Sequence, residues 1–460
     1  MRSTVPNGRP SRPAAALLAA LLAASPLPWR PSIADEGGTP GDDLRRRGFV
    51  GAGVAPEEGD RGVRVTLVVP GSPAEAAGLI EGDLIVGVDD EPVTDPASFV
   101  SLVGARGAGE EVALRFIREG EERTERVTFG ERPRETSEAG EVIYGSVAAA
   151  AGRQRTIVTK PEGDGPFPAL FLIQGLGCVS IENPAGGLIG YKEVIDAFTE
   201  AGYVTLRVDK PGCGDSEGGP CADVDFDTEL DGYRQGLAAL KAMPFVDPGR
   251  VVLFGHSMGG VMGPILAAED PVAGVAVYGT VLKTWSEYLL ENVRRQSALG
   301  GAAPDEVDDT LRAHAKLYAR LFVLGQEPDE ALAEDPSLAP VLADVAPDGE
   351  HPYTRNARFF RQLDARNLPA AWLEADADAL AIWGEADFVS TREDHELIAS
   401  LVDGRSEGSG RFVLLEGTDH GFSRADSYRD AMEREGPGEF NPELLRVLLD
   451  WAGSVVDPAG

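Results

Sequence analysis

The sequence predicts an α/β protein: a mostly parallel sheet with helices on both faces and a helical cap, preceded by a small, mainly β unit. Three observations carry this reading. From about residue 141 to 456, short apolar runs alternate with stretches of helical spacing, the pattern of a parallel sheet covered on both faces. Between Lys283 and about Ala371 that alternation stops and the chain becomes helical and strongly acidic. Upstream, residues 47 to 130 hold short strands broken by Gly- and Pro-containing turns, as in a small β domain.

Composition sets the outer limits. A chain of 460 residues with 43% hydrophobic content is long enough for two domains with real cores. A formal charge of -34 repels nucleic acid and anionic membrane surfaces, so neither is expected as a partner.

The N-terminus reads as a secretory signal over residues 1–34. Arg2, Arg9 and Arg12 form a basic start, and Ala14 to Ala24 is an unbroken apolar run. That run is too short for the ~20 residues that span a bilayer and fits a signal's apolar region. Ser32-Ile33-Ala34 offers small residues for cleavage before Asp35. A secreted or periplasmic location follows, where cysteines can pair. Residues 35–46, charged and glycine-rich, read as a linker.

In the first unit, Phe49–Val54 and Gly62–Val69 read as strands. The turn Gly-Ser-Pro-Ala-Glu-Ala-Ala-Gly-Leu (71–79) follows, then a strand and turn over 81–93, a helix from Pro96 to Val103 and a strand from Glu111 to Arg118. Together with Gly48-Phe49-Val50-Gly51, these features resemble a PDZ domain of the bacterial, protease-associated type over 47–130. The resemblance implies that an extended C-terminal peptide adds to a sheet edge, with N–H groups of Gly48, Phe49, Val50 and Gly51 holding its carboxylate. The side-chain pocket would face Phe99, Leu102 and Val103. A PDZ unit that only packs on its own catalytic domain fits the sequence equally well.

Residues 131–140 are polar and mark a second linker. Beyond them, 143–147 and 155–159 read as an antiparallel pair. Strands follow at 169–173, 203–208, 251–254, 275–278, 379–383 and 412–415, with helices at 191–201, 226–243 and 442–451. Within the helical insertion of about 283–371, Asp305 to Glu350 carries twelve carboxylates against Arg312, Lys316 and Arg320. An insertion at that point roofs the carboxyl ends of the strands, where open α/β sheets bind ligands.

The chemistry is announced by Gly255-His256-Ser257-Met258-Gly259, which follows an apolar strand and opens a helix. Strand, G-x-S-x-G, helix is a nucleophile elbow. Small neighbours at Gly255 and Gly259 let the two elements approach around a strained serine. With the strand–helix alternation, this resembles the α/β-hydrolase superfamily over 141–456.

The resemblance implies an order of serine, acid, base along the chain. His420, in Gly417-Thr418-Asp419-His420-Gly421 just past the last strand, stands where that family's base sits. His256, His314, His351 and His395 lie elsewhere. Asp387 in Gly384-Glu385-Ala386-Asp387-Phe388-Val389 is the preferred acid, with Glu385 and Asp419 as competitors. The oxyanion donors implied are the backbone N–H groups of Met258 and Leu176, the latter in Gln174-Gly175-Leu176-Gly177-Cys178, where many relatives carry His-Gly. The loop Asp209-Lys210-Pro211-Gly212-Cys213-Gly214-Asp215-Ser216 resembles that family's D-x-x-G-x-G-x-S and is expected to brace the oxyanion loop. Cys178 and Cys221 flank this mouth and are expected to pair, with Cys213 free or the alternative partner.

The expected protein is therefore a secreted serine hydrolase that cleaves carboxylic esters through an acyl-enzyme. Its substrate would be a small-molecule ester, with a C-terminal peptide as a candidate partner at the PDZ unit. No cofactor, metal or membrane span is expected. A peptidase of the same fold is one alternative. A PDZ scaffold with an inert hydrolase domain is the other.

Overall fold

The computed structural model describes residues 44–457, except 58, 60, 183–189, 435 and 437. The expected signal segment and most of the first linker lie outside the described residues.

The larger unit is built on an eight-stranded sheet. Its strands are β1 (Glu141–Ala149), β2 (Gly152–Lys160), β3 (Phe167–Ile173), β4 (Val204–Val208), β5 (Val246–His256), β6 (Gly274–Tyr278), β7 (Asp378–Gly384) and β8 (Gly410–Leu415). The spatial order is β8-β7-β6-β5-β3-β4-β2-β1. Of the eight, β2 runs against its neighbours β1 and β4, and the pairs from β4 to β8 are parallel.

Central position explains the composition of β5. Val251, Val252, Leu253 and Phe254 are fully buried. Val251 and Leu253 join the core on one face, Val252 and Phe254 the core on the other. That alternation is the two-residue period of a strand covered on both sides.

Helices supply the covers: α1 (Tyr191–Glu200), α2 (Phe226–Lys241), α3 (Met258–Glu269), α4 (Trp285–Leu299), α5 (Arg392–Arg405) and α6 (Glu443–Val456). Leu230, Tyr233, Leu237 and Leu240 put one stripe of α2 into the first core. Leu444, Val447, Leu448 and Trp451 do the same for α6 on the opposite face, at the three- and four-residue spacing of one helical side. Between β6 and β7 the chain is helical, with α4 followed by further helices, among them Pro304–Tyr318, Ala357–Asp364 and Leu368–Glu374.

The smaller unit is an antiparallel sheet ordered Ala52–Pro56, Val63–Val68, Leu84–Val88, Glu111–Arg118, Glu121–Thr128, with Glu91–Pro92 pairing on Leu84–Val88. Val112, Leu114 and Phe116 face its core and alternate with more exposed neighbours. The helix Pro96–Gly104 starts on Asp95, which accepts the Ser98 N–H at 2.8 Å, with Pro96 in the first turn; both features favour a helix start.

One expected strand is broken and one further strand is present. Phe49–Val54 is not one strand. Gly51 takes a positive φ of 78°, and a Cβ there would lie 2.2 Å from the Ser72 Cβ. The chain turns at that point, so Gly48–Phe49 pairs instead with Gly130–Glu131. The strand Glu121–Thr128 was not anticipated. Only Val127 of its eight residues is buried, so it lacks an apolar alternation to announce it.

The stretch expected to end the first linker is firmly held. Arg46 is 8% exposed. Its guanidinium reaches Asp215 at 2.5 Å, Glu182 at 2.8 Å and the carbonyls of Arg132 and Pro133. Arg47 donates its N–H to Asp215 at 2.9 Å and its side chain to the carbonyls of Gly212 and Ser216. Arg155, also buried, meets Asp215 at 3.0 Å. Buried carboxylates need such partners, because an isolated charge out of water costs several kcal/mol.

Candidate active site

Ser257 sits between β5 and α3 with φ 55° and ψ −117°, a conformation that a side-chain-bearing residue holds only when its surroundings impose it. The surroundings are explicit. The Ser257 N–H donates to the Tyr278 carbonyl at 2.9 Å. A Cβ on Gly255 would lie 2.3 Å from the Gly259 carbonyl oxygen, and one on Gly259 would lie 2.1 Å from that of Ile173. Only glycine fits either position.

His420 lies in the loop after β8, with Nδ1 3.0 Å from Asp387 Oδ2. Asp387 follows β7 and is fully buried. Its Oδ1 accepts the N–H groups of Val389 and Ser390 at 2.8 and 3.0 Å, and Oδ2 accepts the Ser390 hydroxyl at 2.5 Å. Burial alone would raise this carboxyl; the His420 ring and the Ser390 donors override it and hold Asp387 well below the usual range. Burial lowers His420, the Asp387 charge raises it, and the net is upward.

The competing carboxylates have other partners. Asp419 accepts the Gly421 and Ser423 N–H groups at 2.9 and 2.8 Å and pairs with Arg434 at 2.7 Å. Glu385 accepts the Gly417 N–H at 3.0 Å. Both shape the loop that carries His420. Gly279 gives the pair its room, since a Cβ there would lie 2.8 Å from His420 Nδ1.

Met258 is the first residue of α3, so its N–H has no partner within the helix. The loop 174–178 follows β3. A Cβ on Gly175 would lie 3.3 Å from the Ser257 Cβ and 3.7 Å from its Oγ, so this turn runs alongside the serine. Cys178, in the same loop, is bonded to Cys221, with Cα atoms 5.8 Å apart. Cys213 is free and buried.

His256 has a role that its position in sequence did not reveal. The Gly175 N–H donates to the Tyr191 oxygen at 3.1 Å, and the Tyr191 hydroxyl lies 2.7 Å from His256 Nδ1. His256 Nε2 lies 2.9 Å from the His420 carbonyl oxygen. The network assigns the proton of His256 to Nε2, with Nδ1 accepting from Tyr191. Burial, then the neighbouring His420, push His256 down to about 3, so it is neutral and bridges the loop of Gly175 to the loop of His420. His395 is likewise buried; its Nε2 accepts the Thr280 N–H at 3.1 Å and burial pushes it down to about 4.

Other contributors come from afar in sequence. Arg295 of α4 donates to the carbonyls of Phe388 and Val389, beside Asp387. Lys210, Glu229 and Arg355 form a buried cluster behind the loop 174–178. The loop of Asp209 braces the same region, since Asp209 accepts the Ser180 hydroxyl at 2.8 Å and the Ile181 N–H at 2.6 Å.

Gly48, Phe49, Val50 and Gly51 lie in the smaller unit. The Gly48 N–H donates to the Arg106 carbonyl at 2.8 Å, which takes it out of the set of free donors expected there. Ala52–Pro56, immediately beyond, is an edge strand. Phe99 and Val103 are used in the core, while Leu102 is partly buried against it.

Residues 187–434, more than half of the chain, match the model of the alpha/beta hydrolase family. The chain belongs to the alpha/beta hydrolase family. Its N-terminal residues 48–129 match the PDZ domain model. The hydrolase is 21% identical to esterase EstD of Thermotoga maritima over 295 residues, 64% of each chain. It is 32% identical over 88 residues, 19% of each chain, to a probable periplasmic serine endoprotease DegP-like of Hahella chejuensis. The chain thus spans less than two thirds of the length of these curated relatives. A carboxyl esterase structure from Bacillus coagulans aligns with a TM-score of 0.44 at 16% identity, covering 68% of this chain and 99% of that one. Among the described residues, no helix is long and apolar enough to cross a membrane, and no cluster of three or more His, Cys, Asp or Glu is placed to hold a metal ion.

Proposed function

We propose that this hydrolase cleaves carboxylic esters through an acyl-enzyme on Ser257, Asp387 and His420. Ser257 Oγ attacks the ester carbonyl carbon and passes its proton to His420 Nε2. The tetrahedral oxyanion is held by the N–H groups of Leu176 and Met258. His420 then protonates the departing alkoxide. In the second half, water gives a proton to His420 and attacks the acyl carbon, and His420 returns that proton to Ser257 Oγ as the acid departs. Asp387 holds His420 with its proton on Nδ1 and stabilises the imidazolium.

The observation that carries this reading is the strained Ser257 at a strand-to-helix turn, next to His256, whose Nε2 lies 2.9 Å from the carbonyl oxygen of His420, a histidine whose Nδ1 faces a buried carboxylate at 3.0 Å. The likeness to esterase EstD supports esters as the substrate class. A fluorophosphonate probe should label wild-type protein and leave Ser257→Ala unlabelled. p-Nitrophenyl esters should turn over faster than aminoacyl and prolyl amides, and the reverse order would make the protein a peptidase. An unlabelled wild type would make it a scaffold with an inert hydrolase domain.

The edge strand Ala52–Pro56 is the proposed docking place for an extended C-terminal peptide, which would add to the sheet there. The proposed location is outside the cytoplasm, supported by the signal-like N-terminus, the Cys178–Cys221 bond and the likeness to a DegP-like protein. Fractionation of cells expressing the full chain tests it.

A further inference from the structure

We infer that Lys210 is a positioning residue that aims the Leu176 N–H at the oxyanion, with Arg355 as a second hold on the same loop. The inference rests on the Ser257 reading above.

The carbonyl of Gly175 and the N–H of Leu176 belong to the same planar, trans peptide unit and point in opposite directions. Whatever fixes the carbonyl therefore fixes the N–H. Lys210 Nζ donates to the Gly175 carbonyl at 2.5 Å and to the Leu176 carbonyl at 2.9 Å, so two consecutive planes are set by one ammonium. Arg355 Nη1 donates to the Leu176 carbonyl at 3.3 Å. On its other side Gly175 lies against Ser257. The carbonyls face the cations, and the intervening N–H is turned away from them.

The cations are built in. Lys210 is 1% exposed and Arg355 and Glu229 are buried with it. Glu229 lies 3.2 Å from Lys210 and 2.5 Å from Arg355. Nζ thus makes two hydrogen bonds to carbonyls, with the Glu229 carboxylate beside it as an ion pair at 3.2 Å. One carboxylate between two cations leaves a net positive charge behind the loop. A cation on the carbonyl also polarises the peptide and strengthens its N–H as a donor.

Lys210→Met removes the donor at similar length, and Lys210→Gln keeps a neutral one. Each is assayed on a p-nitrophenyl ester, with kcat per folded molecule and KM measured separately, and with inhibition by a trifluoromethyl ketone that forms the tetrahedral adduct. Lys210→Met should lose kcat about 10- to 100-fold, below the ~10²–10³ of deleting an oxyanion donor. KM should stay within about twofold, and ketone affinity should fall in step with kcat. Lys210→Gln should recover part of both losses. Unchanged kcat in soluble, folded Lys210→Gln and Lys210→Met, or a loss confined to KM or to folded yield, overturns the inference. Should Lys210→Met not fold, Lys210→Gln and Arg355→Lys are compared with wild type on the same three readouts. A wild type that neither labels at Ser257 nor turns over the ester ends the Ser257 reading and this one together; an active wild type with an indifferent Lys210 ends only this one.

Discussion

Arg46 and Asp215, 169 residues apart, meet at 2.5 Å with both side chains buried. Arg46 precedes the PDZ segment, and Asp215 belongs to the loop that also carries Lys210. Arg46→Met should leave Asp215 to Arg155 and the Arg47 N–H, and Glu182 to Arg132 and Tyr144. Breaking a buried pair costs ~3–5 kcal/mol, and the remaining partners put this case near the low end, at about 3 kcal/mol. Urea unfolding of the full chain measures it.

Asp387→Asn should lower kcat about 10³–10⁴-fold, as expected when the orienting carboxylate of a catalytic histidine is lost. Asp387 also raises His420, so the acid limb of the kcat/KM profile should have its midpoint above the imidazole's ordinary ~6.5 and move down in the variant. Stability depends on pH in the same direction but in a lower window. Asp387 and Asp215 are both held below the usual carboxylate range. Their contribution is full above the unfolded carboxyl's ~3.9 and is lost as pH falls below that value toward their folded pKa. Rate against pH, and urea midpoints from pH 5 downward, check the two halves.

Cys178 and Cys221 close a loop of 43 residues. In the chain-entropy account, opening it costs about 4 kcal/mol. Cys178→Ser should lower the unfolding free energy by that order. Because Cys178 is two residues from Leu176, it should also slow ester turnover in protein that remains folded. Chemical denaturation and kcat, each with and without reductant, give the comparison.

Tyr191→Phe should strand the Gly175 N–H and His256 Nδ1 at once. An unpaired buried polar group costs about 1–3 kcal/mol. Thermal unfolding should register that loss, and kcat should drop several-fold with KM little changed, since this hydroxyl is taken up by Gly175 and His256.

What could be read from the sequence was local. The elbow, the strands of the large sheet and the loop of His420 each declare themselves within a dozen residues, because glycine sterics and two-residue alternation act between near neighbours. The break at Gly51 depends on Ser72 lying beneath it, and no pattern near Gly51 records that contact. The strand Glu121–Thr128 carries seven residues that are not buried, so it satisfies its backbone on Glu111–Arg118 without an apolar signature. Arg46 looked like linker because it stands in a polar run; its burial is decided by carboxylates at 182 and 215. Lys210 was visible as part of a bracing loop, but the carbonyls it holds could be named only once β3 and β4 lay side by side.

The segment between β6 and β7 sends one arginine to each of two loops of the proposed site. Arg295 holds the carbonyls next to Asp387, and Arg355 holds that of Leu176. A graft that replaced this segment would also remove the props of the Asp387 loop and of the loop 174–178. A transplanted segment needs arginines at both places to keep the two loops held.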